Sequence, residues 1–123
     1  MLTDPIFKIS SINSTEGLII AALEVDITHD IFNGHFPDQP VVPGACMVQL
    51  VKDILEKRLD TTLQLKVANN LKFLELINPQ ITTHLQLQLN YTTEDELIKV
   101  NGDLVAEDVV FFKFQGTFGI VLL

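Results

Sequence analysis

The sequence predicts an α+β fold in which one helix packs on a single antiparallel sheet. Three observations carry that prediction. Residues 84–91, "HLQLQLNY", alternate apolar and polar without a fault, as a strand with one buried face does. The stretch opening at Gly44 repeats apolar residues at helical spacing. The chain runs two strand-like segments, that helix and then about four strands, an order that suits a helix laid on an antiparallel sheet.

The elements follow in order. "FKIS" (7–10) and "GLIIAALEVDI" (17–27) read as strands separated by the turn-rich "SINSTEG". Residues 29–43 read as irregular, because Pro37, Pro40 and Pro43 each lack an amide donor and restrict the residue before them. From Gly44, residues Ala45, Val48, Leu50 or Val51, Ile54, Leu55 and Leu59 recur at helical spacing, with Lys52, Glu56, Lys57 and Arg58 on a polar side. The first two turns, "ACMVQLV", are apolar nearly all round, which predicts a helix wrapped by other structure. Pro43 at its start and Lys57 and Arg58 near its end agree with helix polarity.

Beyond the helix the chain reads as sheet. "LQLKV" (63–67) and "LKFLELI" (71–77) form two halves of a strand interrupted at Asn69–Asn70, where a bulge is expected. "LIKVNGDLVA" and "VVFFKFQGTFGIV" follow the alternating strand. Asn101–Gly102 has the chemistry of a type I′ hairpin. A turn at Glu107–Asp108 gives two longer strands of better quality, so the turn is expected there.

The 123 residues are most simply one domain, spanning 1–123, with no repeat, low-complexity tract or linker-like shift in composition. Hydrophobic residues make up 47% and charged residues 20%, a globular composition, and the positive mean hydropathy points to an apolar interface shared in an oligomer. A net charge of −8 and the absence of a basic stripe argue against nucleic acid. An acidic carrier protein would be repelled by the molecule as a whole, so it needs a local basic patch. Lys52, Lys57, Arg58, Lys66 and Lys72 are the residues available for one. The single cysteine, Cys46, permits no intrachain disulfide. No membrane span or secretory signal is read, so a cytoplasmic setting is expected.

"GHFPDQPVVPGACMVQL", 34–50, resembles the signature of the hot-dog-fold 3-hydroxyacyl-acyl-carrier-protein dehydratases. Gly34, His35, Phe36, Pro37, Pro40, Pro43 and Gly44 stand at that family's spacing. The resemblance is motif-specific over about residues 33–50 and looser, in architecture, over the rest. It implies a helix wrapped by a curved sheet and paired into a dimer with a continuous sheet. Two sites at the dimer interface would each be reached by an apolar tunnel for an acyl thioester on acyl carrier protein or CoA. No cofactor and no metal are implied. His35 would take the proton from C2, the Gly44 amide would polarise the thioester carbonyl, and a helix carboxylate fourteen residues after the histidine would protonate the leaving 3-hydroxyl. Phe36, Val42, Pro43 and Asp53 are the candidate substrate contacts.

Those roles make physical sense. A C2 proton is weakly acidic, so its removal needs a base near neutral pKa and stabilisation of the enolate. Histidine is such a base. A helix N-terminus offers unpaired N–H donors and the positive end of the helix dipole, and glycine lets a substrate approach the backbone. The departure is at the acid. Fourteen residues after His35 stands Gln49, and an amide is no general acid at neutral pH. Asp53, one turn on, is close enough to be recruited.

Three functions compete. The first is a lyase that dehydrates carrier-bound 3-hydroxyacyl chains. The second is a non-catalytic acyl-binding or partner subunit that relies on another chain's carboxylate. The third is a hot-dog thioesterase, in which Asp38 or Asp53 would activate water. Cys46, on an apolar helix stretch, reads as buried and inert. His84 reads as a sheet-face residue, "TEDE" (93–96) as a solvated turn, and Phe111, Phe112, Phe114 and Phe118 as core. His29, His35 and His84 have no spacing that supports a metal site.

Overall fold

The computed structural model describes residues 6–34 and 40–122, with 33 and 34 as backbone only. Six antiparallel strands form one sheet in the order β1-β2-β4-β5-β6-β3. They are β1 (Phe7–Thr15), β2 (Leu18–Val25), β3 (Leu63–Phe73), β4 (His84–Glu94), β5 (Leu97–Ala106) and β6 (Val109–Ile120). A four-residue helix α1 (Ile31–Gly34) precedes the principal helix, α2 (Gly44–Leu59).

Alternation decides which face of the sheet meets α2. Leu85, Leu87 and Leu89 of β4 are buried, and so are Ile19, Ala21 and Leu23 of β2 and Ile98, Val100 and Leu104 of β5. Together with Val51, Ile54 and Leu55 of α2 they form one core. Phe111, Phe112, Phe114 and Phe118 are buried as expected, and Phe112, Phe114 and Phe118 run as a chain of rings with centroids 6.4 and 5.8 Å apart. Pro43 is the extended N-cap of α2, and Asp60 ends the helix in the left-handed conformation with φ 51°. Glu56 ties that end to the sheet by accepting the Leu63 amide at 2.8 Å.

Three expectations need correction. "SINSTEG" is not a long turn: β1 runs to Thr15 and only Glu16–Gly17 turn, with Gly17 at φ 79°. Cross-strand pairing from Ser11 to Thr15 with Leu18 to Ala22 overrides the polar composition. Residues 29–43 are not wholly irregular, because α1 forms there, with the His29 Nδ1 accepting the Ile31 amide at 3.0 Å. Finally, the strand after α2 ends at Phe73, well short of Ile77, while the bulge expected at Asn69–Asn70 is matched by a register shift there. The strand absorbs two such shifts, at Leu65/Val67 and Ala68/Asn70. The turn between the last two strands falls at Glu107–Asp108, as expected.

Two surfaces are left open. β3 is an outer edge of the sheet, and its apolar residues Val67, Leu71 and Phe73 are 38–50% exposed. Leu71 and Phe73 pair with the buried Phe114 and Phe112, so they belong to the helix-facing side of the sheet yet lack full cover from their own chain. On α2, Ala45 is exposed, while Val48, Gln49, Lys52, Asp53 and Glu56 are only partly buried. A helix apolar nearly all round in its first turns is thus sheathed on one side by its own sheet and left open on the other.

Candidate active site at the start of the buried helix

The start of α2 is an uncapped helix end. Pro43 (φ −62°, ψ 142°) makes no side-chain cap, and the first turn carries no acidic residue. The only non-helical bond here runs from the Cys46 amide to the Pro43 carbonyl, 3.0 Å, among the described residues. Among the described residues, no carboxylate of the helix's first turn competes for the positive end of its dipole. Gly44 begins the helix where the motif requires. The space over its Cα, however, is filled by the chain itself: a Cβ there would lie 2.8 Å from Cε1 of Phe73. A side chain at this position would have to displace an aromatic ring, a packing role for the glycine that needs no substrate. Phe73 is 50% exposed and stacks on Phe112 with centroids 5.0 Å apart. In the sequence Phe73 is one more strand residue of "LKFLELI". Its position beside Gly44 depends on β3 pairing with β6, which no local pattern reveals.

Gln49 lies on the open side of α2, partly buried, about 1.4 turns from Gly44. Its Nε2 donates to Oδ1 of Asp53 at 2.8 Å, both groups part-buried. The spacing expected to bring these two together does so. A carboxylate only accepts hydrogen bonds, so the amide nitrogen faces Asp53 and the amide oxygen Oε1 is turned away from it.

The other candidates separate. Val42 is 4% exposed, and its amide donates to the Ile77 carbonyl at 2.9 Å, so its side chain belongs to the core. Pro43 is half-buried at the helix cap. His35, Phe36, Pro37 and Asp38 lie outside the described residues. Cys46 is buried, and burial pushes its thiol pKa up, as expected of an inert cysteine. His84 is exposed on β4 with Nδ1 3.0 Å from the Thr83 hydroxyl. The five candidate cations divide between two elements. Lys52, Lys57 and Arg58 lie on α2, where Arg58 Nε donates to the Ser14 hydroxyl at 2.6 Å. Lys66 and Lys72 lie on β3, where Lys66 Nζ donates to the Gln64 side chain at 3.2 Å.

A single long helix laid on a six-stranded antiparallel sheet, with its uncapped start beside an edge strand, is the hot-dog fold. The description "ApeI-like: ApeI dehydratase" matches residues 11–109. The 3-hydroxyacyl-acyl-carrier-protein dehydratases FabZ of Rickettsia bellii and Rickettsia rickettsii are each 30% identical over 120 residues, 87% of this chain and 80% of theirs. A chain of the dehydratase heterocomplex ApeI:P from Xenorhabdus doucetiae shares the fold at TM-score 0.75 and 22% identity, covering 95% of this chain and 99% of that one. This chain belongs to the ApeI-like, FabZ-related family of hot-dog dehydratases.

Proposed function

We propose that this chain, read as one domain over 1–123, is a 3-hydroxyacyl-acyl-carrier-protein dehydratase of fatty-acid or related acyl-chain biosynthesis. It removes water from a 3-hydroxyacyl thioester to leave a trans-2-enoyl thioester. The observation that carries the reading is the uncapped start of α2 at Gly44, nine residues after His35 and five before Gln49, in a member of the dehydratase family. In this reading His35 takes the C2 proton, and the Gly44 N–H stabilises the negative charge that develops on the thioester oxygen. Phe36, next to His35 in the sequence, is taken as a substrate contact, and Pro43 shapes the approach to the amide. Gln49 meets the 3-hydroxyl but cannot protonate it. General acid assistance is typically worth about 10²- to 10⁴-fold, so turnover is expected to be slow.

The site is completed by a second copy. The bare edge and exposed apolar residues of β3 support a homodimer that continues the sheet and walls the acyl tunnel over Leu71 and Phe73. Among the described residues no helix is long and apolar enough to cross a membrane, and the reading places the protein in the cytoplasm.

A paired assay on 3-hydroxyacyl and 2-enoyl thioesters tests this. His35→Ala is expected to abolish turnover, and Gln49→Glu to raise it at least about tenfold by restoring an acid. Flat results across both variants would sink the reading. Two observations favour a second reading: Gln49 lacks the proton that a dehydratase must deliver, and the Xenorhabdus neighbour comes from a heterocomplex. A partner subunit would then pair with an active dehydratase. Coexpression with neighbouring genes and a mass measurement of the complex would reveal heteromers.

A further inference from the structure

The face of the sheet turned away from α2 is polar, and its side chains stand in rows. Asn90 of β4, Asn101 of β5, Gln115 of β6 and Asn70 of β3 are successive partners in the strand registers, so four carboxamides cross the sheet side by side. All four are exposed, and they line one depression of about 260 Å³. Among the described residues, none of the four side chains hydrogen-bonds within the chain.

β5 shows what flanks the row. Ile98, Val100, Gly102 and Leu104 are buried, so Leu97, Lys99, Asn101, Asp103 and Val105 alternate onto the outer face. Read along the strand, that outward set is apolar, cation, amide, anion, apolar. Turned end for end about Asn101, it sets Leu97 against Val105 and Lys99 against Asp103. The members of each pair stand equally far from Asn101, at about 14 and about 7 Å. A two-fold axis lying along the amide row performs this reversal. A side chain on such an axis meets its own copy, so it has to complement itself. A carboxamide, which both donates and accepts, does so, and a charge does not. β4 and β6 follow the same reversal without a like-charge contact, Gln88 meeting Thr92 and Lys113 meeting Thr117. β3 keeps to the row at Asn70 and leaves the spacing on its N-terminal side, at its register shift.

We propose that a second copy of this chain docks here, sheet against sheet, about a two-fold axis along the row Asn90–Asn101–Gln115–Asn70. A net charge of −8 sets copies against one another, so a contact between them needs a face without that excess. On the amide row and the row to either side, Lys72, Lys99 and Lys113 stand with a single carboxylate, Asp103. Lys99 lies 3.5 Å from Glu94 within the chain, an exposed pair loose enough to share its cation with the partner's Asp103. The contact spans four strands about 4.8 Å apart and is mostly polar, so it belongs to the small, weak class of interface and forms in concentrated protein. It uses neither α2 nor the β3 edge, and it does not depend on the activity proposed above.

Sedimentation equilibrium from about 1 to about 500 µM tests it. The parent is expected to double in mass as concentration rises, whatever the β3 edge does. Asp103→Lys puts cations on both sides of the row, and Lys99→Asp puts carboxylates on both. Each variant alone is expected to associate at least about tenfold more weakly. Mixed in equal amounts, the two are complementary across the axis and are expected to regain the parent's association. Residues 99 and 103 stand about 14 Å apart along the strand, so contact within one chain cannot produce that recovery. Asn101→Asp, which sets a carboxylate against its own copy, is an independent third variant expected to weaken the doubling. Thermal melting close to the parent's checks that each variant is folded. A parent whose mass stays constant, single variants that double like the parent, or a mixture as weak as its parts would each overturn the inference.

Discussion

The ring of Phe73 occupies the place where a side chain on Gly44 would begin, with Cε1 2.8 Å from an ideal Cβ. A strand at the sheet edge and the first residue of the buried helix are thereby matched to each other. Gly44→Ala pits this contact against the better helix propensity of alanine, up to about 1 kcal/mol. Phe73 is half exposed and can swing away, which costs its stacking on Phe112. A double-mutant cycle on Gly44→Ala and Phe73→Ala is expected to show a coupling of about 1 kcal/mol in denaturant unfolding. Additive effects would mean that the ring and the glycine do not constrain one another.

The edge of β3 is expected to be where two copies meet. Leu71→Asp puts a charge on an apolar, half-open position beside Phe114. Light scattering after gel filtration should show the mass falling from dimer to monomer, with the far-ultraviolet circular dichroism unchanged. A variant that stays dimeric would move the interface away from this strand.

Asp26 should titrate low. Hydrogen bonds from the Thr28 hydroxyl and from its amide, the latter at 3.0 Å, hold the carboxyl below the ordinary value of 3.8. A depressed folded pKa contributes stability that is present above the unfolded value and lost as pH falls through the folded one. The window therefore lies below pH 3.8. Carbon-detected NMR titration should give a midpoint under that value, and Thr28→Val should raise it.

Cys46 should be protected. Burial raises its thiol pKa above the ordinary 9.0, so the folded state holds the proton more firmly than the unfolded state. Its contribution to stability is present below that value and lost as pH climbs through the folded pKa. Alkylation at neutral pH is expected to be slow in the native protein and fast in denaturant. Rapid native labelling would place the sulfur at an accessible surface.

Much of this molecule was legible before any coordinates. Period-two alternation gave β4 its buried leucines, and the proline-rich approach followed by helical spacing located the start of α2 at Gly44. The turn falls at Glu107–Asp108 despite the stronger local chemistry of Asn101–Gly102. The structure supplies the reason: Gly102 is a strand residue over which the Leu89 side chain packs, leaving no room for a Cβ. Both Glu107 and Asp95 take left-handed conformations, φ 54° and 57°, without being glycine. The register of long paired strands imposes those turns, and turn composition does not announce them.

The one-dimensional pattern alone determined the helix and the alternating strands, because each depends on residue type at a fixed local spacing, while Gln49 stands out only beside the dehydratase motif that it resembles. Only tertiary structure decided that β3 crosses to the far edge beside β6, that the Phe73 ring therefore packs over Gly44, and that the outer side of α2 stays open among the described residues. Those outcomes depend on which strands pair across long separations in the chain, and edge or centre, cover or exposure, exist only once the whole sheet has formed.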